Sequence, residues 1–329
     1  MKVTASAPGK VVLSGEYAVL DGAAAICAAI NRRACVTITR SADDHHVVTA
    51  PGIATGSGRF RVTDGQFEWL HGGEGYALLE CVWRALAATL PESLVLTLET
   101  QDFVDVGSGT KFGIGSSAAL AVALTAALDS VADGNADISQ IAISAHRDSQ
   151  FGSGSGVDVA CSLQGGVIEY RMHAASVALC WPDDLAFALL WSGVSASTGT
   201  RLKKLDELES HPSRVALGTA AGRVASSWKS GLPSMILDEL RAYTDTLRQF
   251  SVDHDLGIFD AGHAELVDAA IAAGVVYKPC GAGGGDVGIV LADDESLIES
   301  FIDVAAKKNF TRLYLTIDPS GMQRNREDL

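Results

Sequence analysis

Apolar residues are spaced in three different ways along this chain, and each spacing predicts a kind of element. Strict alternation over residues 35–40 (Cys-Val-Thr-Ile-Thr-Arg) predicts a strand with one buried face. Leu78, Leu79, Val82 and Leu86 recur at helical intervals, so 76–89 reads as an amphipathic helix that Pro91 ends. Between residues 118 and 128 nearly every position is apolar, which predicts a helix buried on all sides. Further helices are expected over 137–150, 212–250, 258–273 and 295–307. Further strands are expected over 94–99, 165–171, 176–180, 185–191 and 312–316. A polar, glycine-rich stretch from 41 to 75 leaves room for hairpins near 47–49 and 59–62, with His45-His46 in a loop. At the N-terminus Pro8-Gly9 reads as a turn, Lys10-Val-Val-Leu as a short strand and Asp21-Gly22 as a second turn.

The buried helix is preceded by a run that changes the picture: Gly-Ser-Gly-Thr-Lys-Phe-Gly-Ile-Gly-Ser-Ser from Gly107 to Ser117. Gly113 and Gly115 let the main chain take conformations closed to other residues and let a ligand approach it. Ser116 and Ser117 stand where the helix begins, at unpaired N–H groups and the positive end of the helix dipole, an arrangement suited to an anion. Taken alone, a plain glycine loop before a core helix explains the run equally well. A P-loop is excluded, because Gly109-Thr110-Lys111 does not complete its pattern. Gly113-x-Gly115-x-x-Ala118 satisfies the loose dinucleotide pattern, but no strand leads directly into it, and the next acid, Asp129, arrives early and within a helical run.

Composition narrows the ligands. The chain has 329 residues, long enough for two domains, and a formal net charge of −15, which excludes nucleic acid and an anionic membrane surface as partners. An anionic substrate must therefore be met by local bases. Lys10 is the only charge between Lys2 and Glu16; Arg32-Arg33, His146-Arg147 and the group Arg201, Lys203 and Lys204 are the other candidates. Six scattered cysteines without a C-x-x-C pair read as reduced thiols in a cytoplasm. No leader and no apolar run of roughly 20 residues is visible. Two further glycine-rich runs stand out. Gly152, Gly154 and Gly156 alternate ahead of Asp158, and 281–285 holds four glycines in five residues before an apolar strand that ends at Leu291. A domain boundary fits between about 172 and 185.

Three stretches, in this order, resemble the motifs of the GHMP kinases: Pro8-Gly-Lys-Val-Val-Leu-Ser-Gly-Glu-Tyr, Lys111-Phe-Gly-Ile-Gly-Ser-Ser-Ala-Ala and Lys278-Pro-Cys-Gly-Ala-Gly-Gly-Gly-Asp. Tyr17 stands where mevalonate kinases usually have His, and Asn31-Arg32-Arg33 and Ser195-Ala-Ser-Thr198 are similar to the members that act on phosphomevalonate. The resemblance implies an α+β, two-domain GHMP kinase fold: a ribosomal S5 domain 2-like half over 1–175, a ferredoxin-like half over 176–329, and an active site between them. It implies ATP and Mg²⁺, transfer of phosphate to phosphomevalonate, and a monomer or homodimer. Lys10 and Asp158 match the catalytic pair. Lys111, Gly113, Ile114, Gly115, Ser116, Ser117 and Ala118 match the ATP-phosphate loop, with Ser116 or Ser117 on the metal. Tyr17, Lys111, Arg147, Ser155, Ser195, Ser197, Thr198, Gly283 and Gly284, with Lys10 and Asp158, fall to the substrate. Mevalonate or a related sugar or polyol as acceptor, and a metabolite-binding relative without turnover, stay open as rivals.

Overall fold

The longest strand, β2 (Ala25–Arg40), organises a nine-stranded sheet in this computed structural model, which describes residues 1–327 apart from 55, 88–89, 91–92, 133, 151, 153, 197–200 and 202–210. β2 pairs antiparallel with β1 (Lys2–Ser14) along nearly its whole length. Its other edge is shared. Residues 35–40 pair with β6 (Leu94–Glu99), and residues 25–28 pair with β7 (Val167–Tyr170). The sheet continues from β6 through β3 (His46–Thr49), β4 (Ser57–Thr63) and β5 (Gln66–His71). Only the β3–β6 pairing is parallel among the described strands. β8 (Val177–Leu179) adds to β7, and β13 (Gln323–Glu327) returns from the C-terminus to the free edge of β1. A second, four-stranded antiparallel sheet has the order β10 (Val276–Pro279), β11 (Val287–Ala292), β9 (Ala186–Trp191), β12 (Thr311–Leu313).

Helices cover these sheets: α1 (Ala77–Leu86), α2 (Ser116–Val131), α3 (Ile138–Ser149), α4 (Val157–Gln164), α5 (Pro212–Ser230), α6 (Pro233–Asp253), α7 (His263–Ala273) and α8 (Glu295–Ala306). α2 is the all-apolar segment, and it packs on β1, β2 and the helices around them. Burying such a segment leaves its few polar groups without water. Thr125 and Ser130 accordingly donate to the carbonyls of Ala121 (2.7 Å) and Ala126 (2.8 Å) one turn earlier. Each fully buried leucine or valine of α2 contributes about 1.5–3 kcal/mol, so this helix is a rigid base for the loop before it.

Several expectations are corrected. Pro8-Gly9 is not a turn but lies within one continuous strand; the register shift between the two residues marks a bulge in the facing strand, where Asn31 and Arg32 of β2 are the extra residues. Lys10 therefore projects from mid-strand. The helical span expected over 212–250 is two antiparallel helices, split where Gly231 takes φ 68° and Pro233 opens α6. His46 lies in β3, not a loop, stacked on Phe60 with ring centroids 4.8 Å apart. β13 carries no alternation of apolar and polar positions, because all five of its residues are polar and exposed.

Candidate active site

Opposite the bulge in β2, the Gly9-Lys10 stretch of β1 gives the site its first contact. The Lys10 backbone N–H donates to the Ile114 carbonyl (2.9 Å), so the glycine loop lies directly on β1. A Cβ at Gly9 would stand 2.6 Å from that carbonyl oxygen, and one at Gly115 would stand 2.9 Å from Cγ of Lys10. Both glycines are needed for this approach, and Gly115 is left-handed as well (φ 84°). The stem of Lys10 is thus clamped against the start of α2. Its Nζ reaches Asp158 Oδ2 at 3.2 Å, with the lysine side chain 9% and the aspartate 33% exposed. Burial is the largest single effect and works against the ammonium, but the Asp158 charge, the hydrogen bond to it and the Cys27 and Cys161 thiols together outweigh it and hold Lys10 protonated well above the usual lysine range. Asp158 lies in the first turn of α4, where a carboxylate also complements the helix dipole.

The third glycine run closes over this pair. A Cβ on Gly281 would lie 3.9 Å from Lys10 Nζ, and the Tyr17 hydroxyl donates to the Ala282 carbonyl at 2.7 Å. Gly283 and Gly284 press on the 256–258 segment. A Cβ on Gly283 would meet the Ile258 carbonyl at 2.4 Å, and the Gly284 N–H donates to that carbonyl at 2.7 Å. The Arg201 guanidinium covers Gly284 while its Nε donates to Leu256 O (2.9 Å). Asp286 ends the run and ties in a further loop: its Oδ1 accepts from Ala196 N (3.0 Å) and its N–H donates to Val194 O (2.6 Å). Burial raises the Asp286 carboxyl, and the Ala196 N–H, Lys10, Arg201 and Lys111 pull it back down.

These segments surround a cavity of about 110 Å³ walled by Lys10, Tyr17, His146, Ser155, Asp158 and Gly281 among others. Lys10, Asp158, Tyr17 and Ser155 are brought together here. Gly113, Ile114, Gly115, Ser116 and Ser117 form the adjoining turn into α2, and Ala118 is already inside the helix and buried. Lys111 is exposed at the far end of that loop, and Ser195 is exposed beside Asp286. Arg147 is not in the cavity. Its guanidinium donates to the carbonyls of Gly154 (2.8 Å) and Ser155 (2.9 Å) and so shapes the loop before α4 from behind. Ser197 and Thr198 lie outside the described residues. His146, a candidate base by its charge, lines the cavity, and so do Glu16 and Gln150, which the sequence does not mark as site residues. The i, i+4 spacing of His146 and Gln150 on one face of α3 was the available signal; His146 Nε2 lies 3.1 Å from Gln150 Nε2. Burial keeps His146 neutral to lower pH than usual, a tendency that Asp158 opposes and Lys10 reinforces.

A sequence model described as GHMP kinases N terminal domain matches residues 78–166, which carry the glycine loop and Asp158. A phosphomevalonate kinase of Streptomyces sp. (strain CL190) is 30% identical over 88% of this chain and 90% of its own length. The chain belongs to the GHMP kinase family. A mevalonate kinase of Methanothermobacter thermautotrophicus is 36% identical, over 51% of this GHMP kinase and 50% of that protein. Among solved structures, Streptococcus pneumoniae phosphomevalonate kinase in complex with phosphomevalonate and AMPPNP superposes with a TM-score of 0.77 at 18% identity, covering 95% of this chain and 99% of that one. That likeness shows the fold, a two-domain mixed α+β architecture. Among the described residues of this GHMP kinase no helix is long and apolar enough to cross a membrane.

Proposed function

We propose that this GHMP kinase transfers the γ-phosphoryl group of ATP to the phosphate of phosphomevalonate. The observation that carries the reading is the Lys10–Asp158 pair, 3.2 Å apart and shared between the glycine loop at α2 and the cavity. The kinship over nearly the full chain with a phosphomevalonate kinase supports the choice of acceptor. In this reading 1–175 is the ATP-binding half and 176–329 the second half, which lends β8 and β13 to the first sheet.

Phosphoryl transfer asks a protein for alignment and charge neutralisation. The N–H groups at the start of α2 receive the ATP phosphates. Lys10, held protonated and immobile, lies between donor and acceptor. It offsets the repulsion between two anions and stabilises the charge that develops on the transferring group. A phosphate monoester has its second pKa near about 6 and is already nucleophilic at neutral pH. Asp158 then orients Lys10 and need not remove a proton. The glycine backbone of 281–285 excludes water from above.

The hydroxyls of Ser116 and Ser117 and the Asp158 carboxylate are hard oxygen donors, and neither hydroxyl has a partner among the described residues, so the donor set fits Mg²⁺. These residues would hold the ion beside the phosphates, where it neutralises their charge.

One observation favours a second acceptor, mevalonate itself. Among the described residues lining the cavity Lys10 is the only lysine or arginine, and an alcohol asks for less positive charge than a phosphate. There Asp158 would act as a general base. Purified protein assayed for ADP release with ATP and either phosphomevalonate or mevalonate decides the matter. Faster turnover of phosphomevalonate is expected, and turnover of mevalonate alone replaces the first reading by the second.

A further inference from the structure

The first and third glycine-containing motifs are stitched together below the cavity by groups to which the mechanism assigns no role. Lys278 is fully buried at the end of β10, and Glu16 is 4% exposed just after β1. The three donors of the Lys278 ammonium are all used. They go to Glu16 Oε1 at 2.5 Å, Pro279 O at 2.7 Å and Val12 O at 3.4 Å. The second carboxylate oxygen of Glu16 accepts from the Tyr243 hydroxyl at 2.7 Å, and that hydroxyl accepts from Gly15 N–H at 2.9 Å. One residue further along, Tyr17 donates to Ala282 O. So the strand that bears Lys10 and the loop that passes over Lys10, 262 residues apart in sequence at the Glu16–Lys278 pair, are joined on both sides of Pro279-Cys280-Gly281.

Stability does not account for this network. A buried ion pair returns little more than its own desolvation cost, and apolar replacements of both partners are often neutral or stabilising. What the pair supplies is a position. Glycines at 281, 283, 284 and 285 give the loop little stiffness of its own, since each can adopt many backbone conformations. Lys278 fixes where the loop leaves β10, and Tyr17 fixes it again at Ala282. Gly281 is thereby set over Lys10 Nζ.

We propose that Glu16, Lys278 and Tyr17 form an interlock that sets the height of the 280–282 backbone above Lys10, and that they are positioning residues for phosphoryl transfer. The proposal rests on the reading of Lys10 as the catalytic amine. Misplacing a reacting group by about 1 Å costs on the order of 10²-fold in rate. The ATP-phosphate loop at α2 has ties of its own, the Lys10 N–H to Ile114 O bond and its helix, and it meets the third glycine run at Asp286, whose bonds to Val194 and Ala196 do not involve Glu16, Lys278 or Tyr17.

The test uses the double variant Glu16→Gln/Lys278→Met, which removes both buried charges together, and the shape-conserving Tyr17→Phe, which removes only the tie to Ala282. Amide hydrogen exchange over 279–286 is read alongside kcat and KM with ATP and each of the two acceptors. The double variant should unfold close to the wild-type temperature, exchange at least about tenfold faster over 279–286, and lose kcat by about 10²-fold with KM for ATP changed less than about twofold. Tyr17→Phe should move exchange and kcat in the same direction by a smaller factor. Wild-type exchange over 279–286 in either variant overturns the interlock. So does a double variant that is stable and has wild-type kcat, since the pair would then be structural only. Failure of the underlying reading looks different. Lys10→Met would retain turnover, or neither acceptor would be phosphorylated, while the exchange measurement still decides whether the loop is held as described.

Discussion

Asp286 rests on the Cα of Gly113. A methyl group added at Gly113 would stand 2.1 Å from the Asp286 Cγ and 2.2 Å from its Cβ. Two loops more than 170 residues apart are thus in van der Waals contact across the cleft, and Asp286 itself is held at φ 56° by its bonds to Val194 and Ala196. The carboxylate cannot swing aside without breaking those bonds. Gly113→Ala should therefore displace the 281–286 loop, and it adds the strain of a side chain at φ 79°. The expected result is a loss of about 1–3 kcal/mol in stability together with a fall in kcat. Gly109→Ala is the control, because φ 70° is imposed there too but nothing lies within 4 Å of the added methyl. Equal effects at the two glycines would show that backbone strain, not contact with Asp286, is responsible.

Lys10 and Asp158 should not be equivalent. If the acceptor is a phosphate, Lys10→Met removes the charge that bridges donor and acceptor, and a kcat loss of roughly 10³-fold or more is expected. Asp158→Asn keeps the shape and a hydrogen-bonding oxygen beside Lys10, so a loss of about 10–100-fold is expected. Steady-state kinetics of the two variants checks this. An equal collapse would mean that a proton must be removed, and would point to an alcohol acceptor.

Much of this arrangement was legible in the sequence because it depends on residue types that few other structures require. The run from Gly107 to Ser117 joined to an all-apolar helix placed the loop at the start of α2, and the alternating glycines before Asp158 placed that acid in the first turn of α4. What could not be read was contact between distant segments. Glu16 and Lys278 look like ordinary surface charges in a linear sequence, and only the approach of the ends of β1 and β10, from separate sheets, to Tyr243 of α6 buries both. Arg147 was legible as a base but not in its direction; the loop it holds has glycines at 152, 154 and 156, whose conformations leave carbonyls to be satisfied. Pro8-Gly9 carried a turn signal that the long pairing with β2 overrode, and the bulge falls in β2 instead.

The thiols should fall into distinct classes. Cys27 and Cys161 are fully buried beneath Lys10, Cys280 is buried at the end of β10, and Cys180 is exposed. Burial pushes the Cys280 thiol up to about 11 and holds Cys27 well above the ordinary thiol range, so neither presents a thiolate at neutral pH. In the folded protein a thiol-specific disulfide reagent should label Cys180 first and leave Cys27, Cys161 and Cys280 unmodified until denaturant is added. Peptide mass spectrometry reads the order. Labelling of Cys27 at the rate of Cys180 would contradict the burial of the floor beneath Lys10.

Acid should weaken the fold through His263. This side chain is fully buried, with Nε2 donating to the Gly285 carbonyl (2.9 Å) and Nδ1 accepting from the Tyr277 hydroxyl (2.7 Å). Burial lowers its pKa from 6.5 to about 4, the Gly285 carbonyl opposes the change, and the Lys278 charge adds to it. The unfolded chain therefore binds a proton near pH 6.5 that the folded protein accepts only near about 4. Above pH 7 both states are neutral and His263 has no effect on the pH dependence. Between 6.5 and 4 stability falls as the pH falls, and below 4 the loss is complete at about 3 kcal/mol. His263→Gln keeps one donor and one acceptor but does not titrate. The stability difference between wild type and this variant should be constant above pH 7 and shift by about 3 kcal/mol in the variant's favour by pH 4. Denaturant unfolding at a series of pH values measures it, and two curves that run parallel from pH 7 to pH 4 would show that His263 is already charged in the folded protein.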